Sequence, residues 1–378
     1  MKIAMLCNHY HPHVTGVVTV VDTIIRNLAG RAEFCVYYAC PGGGSGSVSH
    51  TAPEACSAQS AASFPSPVGK MLSHCLRPLL GGYFPFTARC LGSLRQLLGH
   101  DLLHCHTFWP NSIVPLLRAA GRLPALLTAH GGLDLMRTQQ WPSAYQRLVK
   151  QALLAATRVI ALDELEQEAL RSFAPGVRTC VIANGVDLGQ HVSAPASGGP
   201  RRILFVGALN ARKGIGDLLA VAASREFAAK ADVEFVLVGE LSSEIDAAAL
   251  PGNVRLTGPL PPERLPELYS GASVFVLPSY SEGMPMVILE AMAHGLPVVA
   301  TPVGAVPLLV EDGLTGRLVP PGDRQALQKS LLALVCDPAL AASMGANGRQ
   351  RYEQRHTGAA MASTHLNLYT DTYAACTH

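Results

Sequence analysis

Apolar runs of five to seven residues recur along this chain, alternate with stretches of helical spacing, and begin their alternation twice. In the first half, "KIAMLC" (2–7), "AEFCVYY" (32–38), "LLHCHT" (102–107), "ALLTAH" (125–130), "RVIAL" (158–162) and "TCVIA" (179–183) read as strands. Helical stretches separate them, such as "VVTVVDTIIRNLAG" (17–30) and "SAYQRLVKQALLAAT" (143–157). After "SAPASGGP" (193–200) the pattern restarts with strand 201–207, helix 214–229 and strands 233–239 and 254–258. Helix 264–272, strand 273–278 and the stretch 295–304 follow. Strand and helix in turn predict parallel sheets covered on both sides. The expected fold class is α/β, with two doubly wound, Rossmann-like domains at 1–193 and 201–355, a linker at 194–200, and 356–378 as a C-terminal helix packing back on the first domain. Ligands of such folds bind beyond the carboxyl ends of the strands, and two facing domains would make a cleft.

Residues 41–67, small, polar and rich in Pro and Gly, read as a long mobile loop. "GGGSGS" within it lacks the third glycine and the following helix of a dinucleotide fingerprint. No apolar run reaches ~18 residues, and the opening "MKIAMLCNHYHPH" lacks the apolar core of a signal peptide. The chain is therefore expected in the cytoplasm. The ten cysteines are scattered, with no C-x-x-C pair, and read as reduced. Charge is uneven beneath a net +2: residues 55–162 hold ten basic residues and two acids, Asp101 and Asp134. That domain is expected to meet an anionic surface or substrate, with several solvated basic helix faces as the plain alternative.

The run "PSYSEGMPMVILEAMAHGLPVV" (278–299) carries two glutamates in apolar surroundings, and a buried carboxylate needs hydrogen-bond donors. Glu282 falls in the loop at the carboxyl end of strand 273–278. Pro285 suits the first turn of a helix reaching His294, and Gly295 its left-handed cap. The amides at Met284 and Met286 point toward that loop, and Glu290 projects near the cleft wall. A solvated Glu282 and a Glu290 paired with a buried arginine form the alternative. "VGALNARKG" (206–214) ends a strand at Gly207 and offers Arg212 and Lys213 before a helix, an arrangement suited to phosphate. Its spacing is not that of a Walker A loop. "NHYHPHVTGVV" (8–18) alternates His9, His11 and His13, but Pro12 and the loop position argue against a metal site. Gly16 there lets backbone approach a ligand. "TAHGGLD" (128–134) places His130 at another strand end, as hydrogen-bond partner or charge stabiliser, or as a structural histidine. His104 and His106 would share one strand face beneath the cleft.

In this order and at these spacings the set resembles the retaining glycosyltransferases of the GT-B fold, family GT4, over nearly the whole chain. Residues 281–323 are similar to the family's E-x7-E region, "GALNARKG" to its phosphate loop, and "IANGVD" (182–187) and "TAHGGLD" to its pre-hinge and histidine segments. The resemblance implies that Glu290 holds the ribose of a nucleotide sugar. Glu282, with amides around Gly283 and Met284, would hold the sugar hydroxyls. Arg212 and Lys213 would neutralise the diphosphate, with Gly207 and the Gly16 amide alongside, and His130 would sit beside the anomeric centre. Thr15-Gly16, Ala208 and Pro285 depart from the family pattern. The implied activity moves a hexose from a UDP- or GDP-linked donor to a saccharide or lipid-linked saccharide, in polysaccharide assembly. The chain contains no D-x-D, so neither a divalent ion nor any other cofactor is expected. No nucleic-acid partner is expected, and peripheral contact with the inner face of the cytoplasmic membrane is. A sugar-nucleotide 2-epimerase and a non-catalytic nucleotide-sugar-binding module stay open as alternatives.

Overall fold

The computed structural model describes residues 1–7, 16–40, 44–50, 57–60, 98–106, 123–130, 143–187, 199–243, 245–246 and 250–377. They form two compact units, Met1–Asn184 with Gly358–His378, and Gly185–Thr357. The predicted linker lies almost wholly outside the described residues.

The first unit is built on an eight-stranded sheet. Its elements are β1 (Lys2–Cys7), α1 (Gly16–Asn27), β2 (Glu33–Cys40), β3 (Gly44–His50), β4 (Ser57–Ser60), β5 (Leu102–His106), β6 (Ala125–Thr128), α2 (Ser143–Ala155), β7 (Arg158–Ala161), α3 (Glu164–Phe173) and β8 (Thr179–Val181). The strand order is β4-β3-β2-β1-β5-β6-β7-β8. From β2 to β8 all pairings are parallel. Ile3 to Cys7 are all buried, as a central strand covered on both faces requires. At the start of α3 a local D-x-x-E pattern fixes the boundary: Asp163 accepts from the Glu166 amide at 2.7 Å, and Glu166 accepts from the Leu162 amide at 2.6 Å. A final helix, Gly358–Thr377, packs on α1.

One expectation fails here. The predicted loop at 41–67 contains β3 and β4, β3 added antiparallel to the edge of β2 and β4 antiparallel to β3. A Ser/Gly-rich run shows no apolar alternation, but an edge strand needs only backbone donors and acceptors, and the free edge of β2 supplies them. The first sheet is thus mixed rather than purely parallel.

The second unit has a six-stranded parallel sheet in the order β11-β10-β9-β12-β13-β14. Its elements are β9 (Arg201–Val206), α4 (Ile215–Ala222), α5 (Arg225–Ala228), β10 (Val233–Val238), β11 (Val254–Gly258), α6 (Leu265–Ser270), β12 (Val274–Leu277), α7 (Met286–Ala293), β13 (Val298–Ala300), α8 (Val306–Leu309), β14 (Gly316–Leu318), α9 (Arg324–Cys336) and α10 (Pro338–Arg355). The predicted helix 214–229 is two helices, broken at Ala223 and Ser224. Pro285 is the residue before α7 rather than in its first turn, and Gly295 follows the helix at φ +71°. The order in which strands are added reverses between β9 and β12, so a ligand would meet this unit beyond the carboxyl ends of those two strands. The loops that follow them carry Arg212, Lys213 and Glu282.

Candidate active site

In the second unit the turn after β9 is shaped by its own sequence. Asn210 caps a short 3₁₀ turn, Ala211–Lys213, by accepting from the Lys213 amide at 3.1 Å. Gly214 follows at φ +72°, and a Cβ there would stand 1.9 Å from the Pro278 carbonyl oxygen. Only glycine admits both the backbone angle and that approach. The Tyr280 amide in turn donates to the Arg212 carbonyl at 2.8 Å, so the two loops are stitched together. Gly207 follows β9, its amide donating to the Val238 carbonyl at 2.9 Å. Gly214→Ala should destabilise this unit by at least about 2 kcal/mol, or ~5 °C for a domain of this size. An unchanged thermal midpoint would mean that the loops do not meet as described.

This stitching brings Lys213 and Glu282, 69 positions apart, into a 2.6 Å ion pair. The side chains are 14% and 7% exposed. Ser279, fully buried, donates to the same carboxylate oxygen at 2.5 Å, and its own carbonyl accepts from the Thr301 hydroxyl. Both donors converge on Oε1. Glu282 is therefore neither a solvated loop acid nor dependent on a ligand for its hydrogen bonds. Gly304, at φ +56°, lies against its backbone: a Cβ there would come within 2.1 Å of the Glu282 carbonyl oxygen. The Gly283 carbonyl accepts from the Ala305 amide at 2.9 Å, and Met284 is buried. Arg212 is exposed, its Nη1 donating to the Ser281 carbonyl at 3.0 Å.

Glu290 is half-buried and has no arginine partner among the described residues; the Tyr269 hydroxyl donates to its Oε2 at 2.6 Å. Loss of hydration raises its pKa, an effect the Tyr269 bond partly offsets. Tyr269 is held by stacking on His294, with ring centroids 5.1 Å apart. The geometry thus places one acid, a largely buried ammonium and a guanidinium on one pair of loops, and a second acid on the helix that follows, chemistry suited to a ligand that combines hydroxyls with negative charge.

In the first unit His130 follows β6 with φ +44°, the one non-glycine positive φ among the described residues. Such strain persists where the surroundings enforce it and gathers at functional sites. His106 Nδ1 lies 2.8 Å from His130 Nε2. His104, buried beside them, contacts the Tyr369 hydroxyl at 2.9 Å and the Thr128 hydroxyl at 2.7 Å, and its ring faces His365. Burial and His365 push the pKa of His130 down to about 3, so the ring is neutral near pH 7. It can serve as a hydrogen-bond partner but not as a fixed cation. Among the described residues no group of three or more His, Cys, Asp and Glu is arranged to hold a metal ion.

Gly16 opens α1 and is exposed. His9, His11, His13, Gly131, Gly132 and Asp134 lie outside the described residues. So do seven of the ten cations at 55–162: Lys70, Arg77, Arg89, Arg95, Arg118, Arg122 and Arg137. Of the cysteines, Cys7, Cys35, Cys105, Cys180, Cys336 and Cys376 are free thiols. Sequence reasoning missed Ser279, Tyr269 and Thr301. Ser279 alone left a trace, since S-x-x-E at 279–282 is the spacing at which a hydroxyl and a carboxylate meet around a turn.

Residues 190–351 match the family model described as glycosyl transferases group 1, and residues 14–190 that of glycosyltransferase family 4. The chain is similar to the alpha-maltose-1-phosphate synthase of Mycobacterium tuberculosis, 34% identical over 307 residues, spanning 71% of this chain and 78% of that one. Its fold is similar to that of sucrose-phosphate synthase from Thermosynechococcus elongatus, with TM-score 0.75, 24% identity and 99% of each chain covered. It is also similar to that of Anabaena HepE in complex with UDP-glucose, with TM-score 0.72, 20% identity, and 99% of this chain and 100% of that one covered. At these identities the two solved structures speak for the fold alone.

Proposed function

Because the chain belongs to the family 4 glycosyltransferases and has their GT-B fold, we infer that it moves a hexose from a nucleoside-diphosphate sugar to a hydroxyl of a saccharide or lipid-linked saccharide, with retention of configuration. The observation that carries this reading is the 2.6 Å pairing of Lys213 with Glu282 beside Arg212, on the loops beyond β9 and β12, with Glu290 on the helix that follows. Glu290 takes the ribose hydroxyls, with Tyr269 fixing one carboxylate oxygen. Glu282, held at Oε1 by Ser279 and Lys213, keeps Oε2 for a hydroxyl of the sugar. Arg212 and Lys213 neutralise the diphosphate, the part a divalent ion plays in other transferases. His130 contributes a neutral hydrogen bond to the sugar.

As the bond from the anomeric carbon to the phosphate oxygen breaks, positive charge grows on the carbon and negative charge on the phosphate. Cations already in place lower that barrier without reorganising. The acceptor oxygen forms its bond on the face the diphosphate leaves, and its proton passes to a phosphate oxygen. Glu282 stays a hydrogen-bond acceptor throughout, not a nucleophile. A UDP-linked donor is favoured by the likeness to HepE, which was solved with UDP-glucose. An anionic or membrane-displayed acceptor in polysaccharide assembly is suggested by charge alone, the ten cations against two acids at 55–162.

Thermal-shift measurements with UDP, GDP and their sugars, followed by mass detection of donor hydrolysis, test the reading. Glu290→Ala should raise the nucleotide Kd about 10- to 100-fold, the loss of charge-assisted hydrogen bonds worth roughly 1.5–3 kcal/mol. If no nucleotide raised the wild-type midpoint, or if Glu290→Ala bound as wild type does, the assignment would fail.

A further inference from the structure

We propose that His106 is a positioning residue that fixes the tautomer of His130, so that His130 presents Nδ1–H as its hydrogen-bond donor. The sugar-facing part of this inference rests on the glycosyl-transfer reading; the tautomer itself does not. His106 is fully buried, and its Nδ1 lies 2.8 Å from His130 Nε2. Its other nitrogen, Nε2, is buried and has no hydrogen-bond partner among the described residues. Between two neutral rings only one nitrogen of the contact carries the proton. If His130 Nε2 carried it, His106 Nδ1 would accept, and the His106 proton would sit on the partnerless Nε2.

A buried N–H without an acceptor is among the costliest omissions in a fold, whereas a bare acceptor nitrogen is tolerated more readily. The proton therefore belongs on His106 Nδ1, which donates to His130 Nε2. His130, neutral near pH 7, then carries its own proton on Nδ1. Nothing else in the cluster imposes this choice. His104 meets only hydroxyls, of Tyr369 and Thr128, and each hydroxyl can donate or accept. His104 instead packs against the His106 ring at a centroid distance of 4.0 Å and holds its plane. The positive φ of His130 fixes the other end of the pair. Among the described residues no hydrogen bond engages His130 Nδ1, which leaves that donor for the hydroxyls of a sugar.

Long-range ¹H–¹⁵N spectra of histidine-labelled full-length protein at pH 7.5 read the tautomer without substrate, with the His130 signals identified by their loss in His130→Gln. The expected pattern is a protonated Nδ1 and a bare Nε2 on His130; a protonated Nε2 would overturn the proposal. His106→Leu keeps the volume but removes the donor, and its kcat should fall about 10- to 100-fold with donor KM nearly unchanged. His106→Asn places an amide N–H where Nδ1 stood and should restore most of that loss along with the wild-type ring pattern. Equal kcat in the Leu and Asn variants would also overturn it. Should His106→Leu not fold, the wild-type spectrum still decides. A protein with the expected spectrum but no transfer with any donor would refute the glycosyl-transfer reading and leave the tautomer standing.

Discussion

In Lys213→Met, sugar transfer should fall by about two to three orders of magnitude while the donor KM changes only a few-fold, since a positioned charge at the leaving group acts mainly in the transition state. Lys213 also serves the resting protein. Its ammonium lies 2.6 Å from Glu282, and the two side chains are 14% and 7% exposed. Removing it leaves the carboxylate with the Ser279 hydroxyl as its remaining donor among the described residues, a loss on the order of 3–5 kcal/mol for a buried pair broken on one side. Rate and stability are separated by adding Glu282→Gln. The neutral amide needs no counter-ion, so the double variant should recover most of the midpoint lost by Lys213→Met and none of its turnover. Wild-type kcat in Lys213→Met would remove this residue from the chemistry. Full recovery of turnover in the double variant would mean that the single variant had failed through misfolding alone.

The same pair marks how far the sequence could be read. The loops after β9 and β12 announce themselves locally, because strand-sized runs end at Gly207 and Pro278 and the punctuation beyond them is explicit. What the sequence does not carry is the partner each side chain finds. Lys213 and Glu282 are 69 positions apart, Tyr269 and Glu290 are 21, and His104 and Tyr369 are 265. No spacing rule spans such distances; the sheet order brings them together. Glu290 illustrates the cost of that gap, since an arginine partner and a ribose were both conceivable from sequence, while in the fold a tyrosine in the last turn of α6 reaches it first. The β3–β4 addition was hidden for a different reason. Its pairing uses backbone groups, which every sequence possesses, so a Ser/Gly run looks the same as a loop until an open edge lies beside it.

Acid should weaken the first unit as pH falls from 7 toward 5. His104, His106, His130 and His365 are all held neutral by burial, and their mutual proximity adds to the effect. In the fold His130 titrates near 3 and His365 near 4, against 6.5 for an exposed imidazole, and the other two lie well below 6.5. Between those values the unfolded chain binds more protons than the folded one, so stability rises with pH across this window. It is complete above about pH 7 and drains as pH falls through 6.5, at no more than about 1.4 kcal/mol per pH unit for each imidazole. From pH 7.5 to 5.0 the summed loss for four coupled rings is several kcal/mol, a large part of a typical domain's stability. Glu290 in the second unit works in the opposite sense, because its pKa is raised in the fold and protonation there favours the native state. Hydrogen exchange at pH 5.0 should therefore find protection lost in β5, β6 and the C-terminal helix while β9 and β12 keep theirs. His365→Phe, which removes one buried imidazole yet retains an aromatic ring against His104 and Tyr369, should make the urea midpoint less steep in pH. Equal midpoints at pH 7.5 and 5.0 in the wild-type protein would mean that the four rings take up protons in the fold as readily as in the unfolded chain, and the burial that holds His130 neutral would go with them.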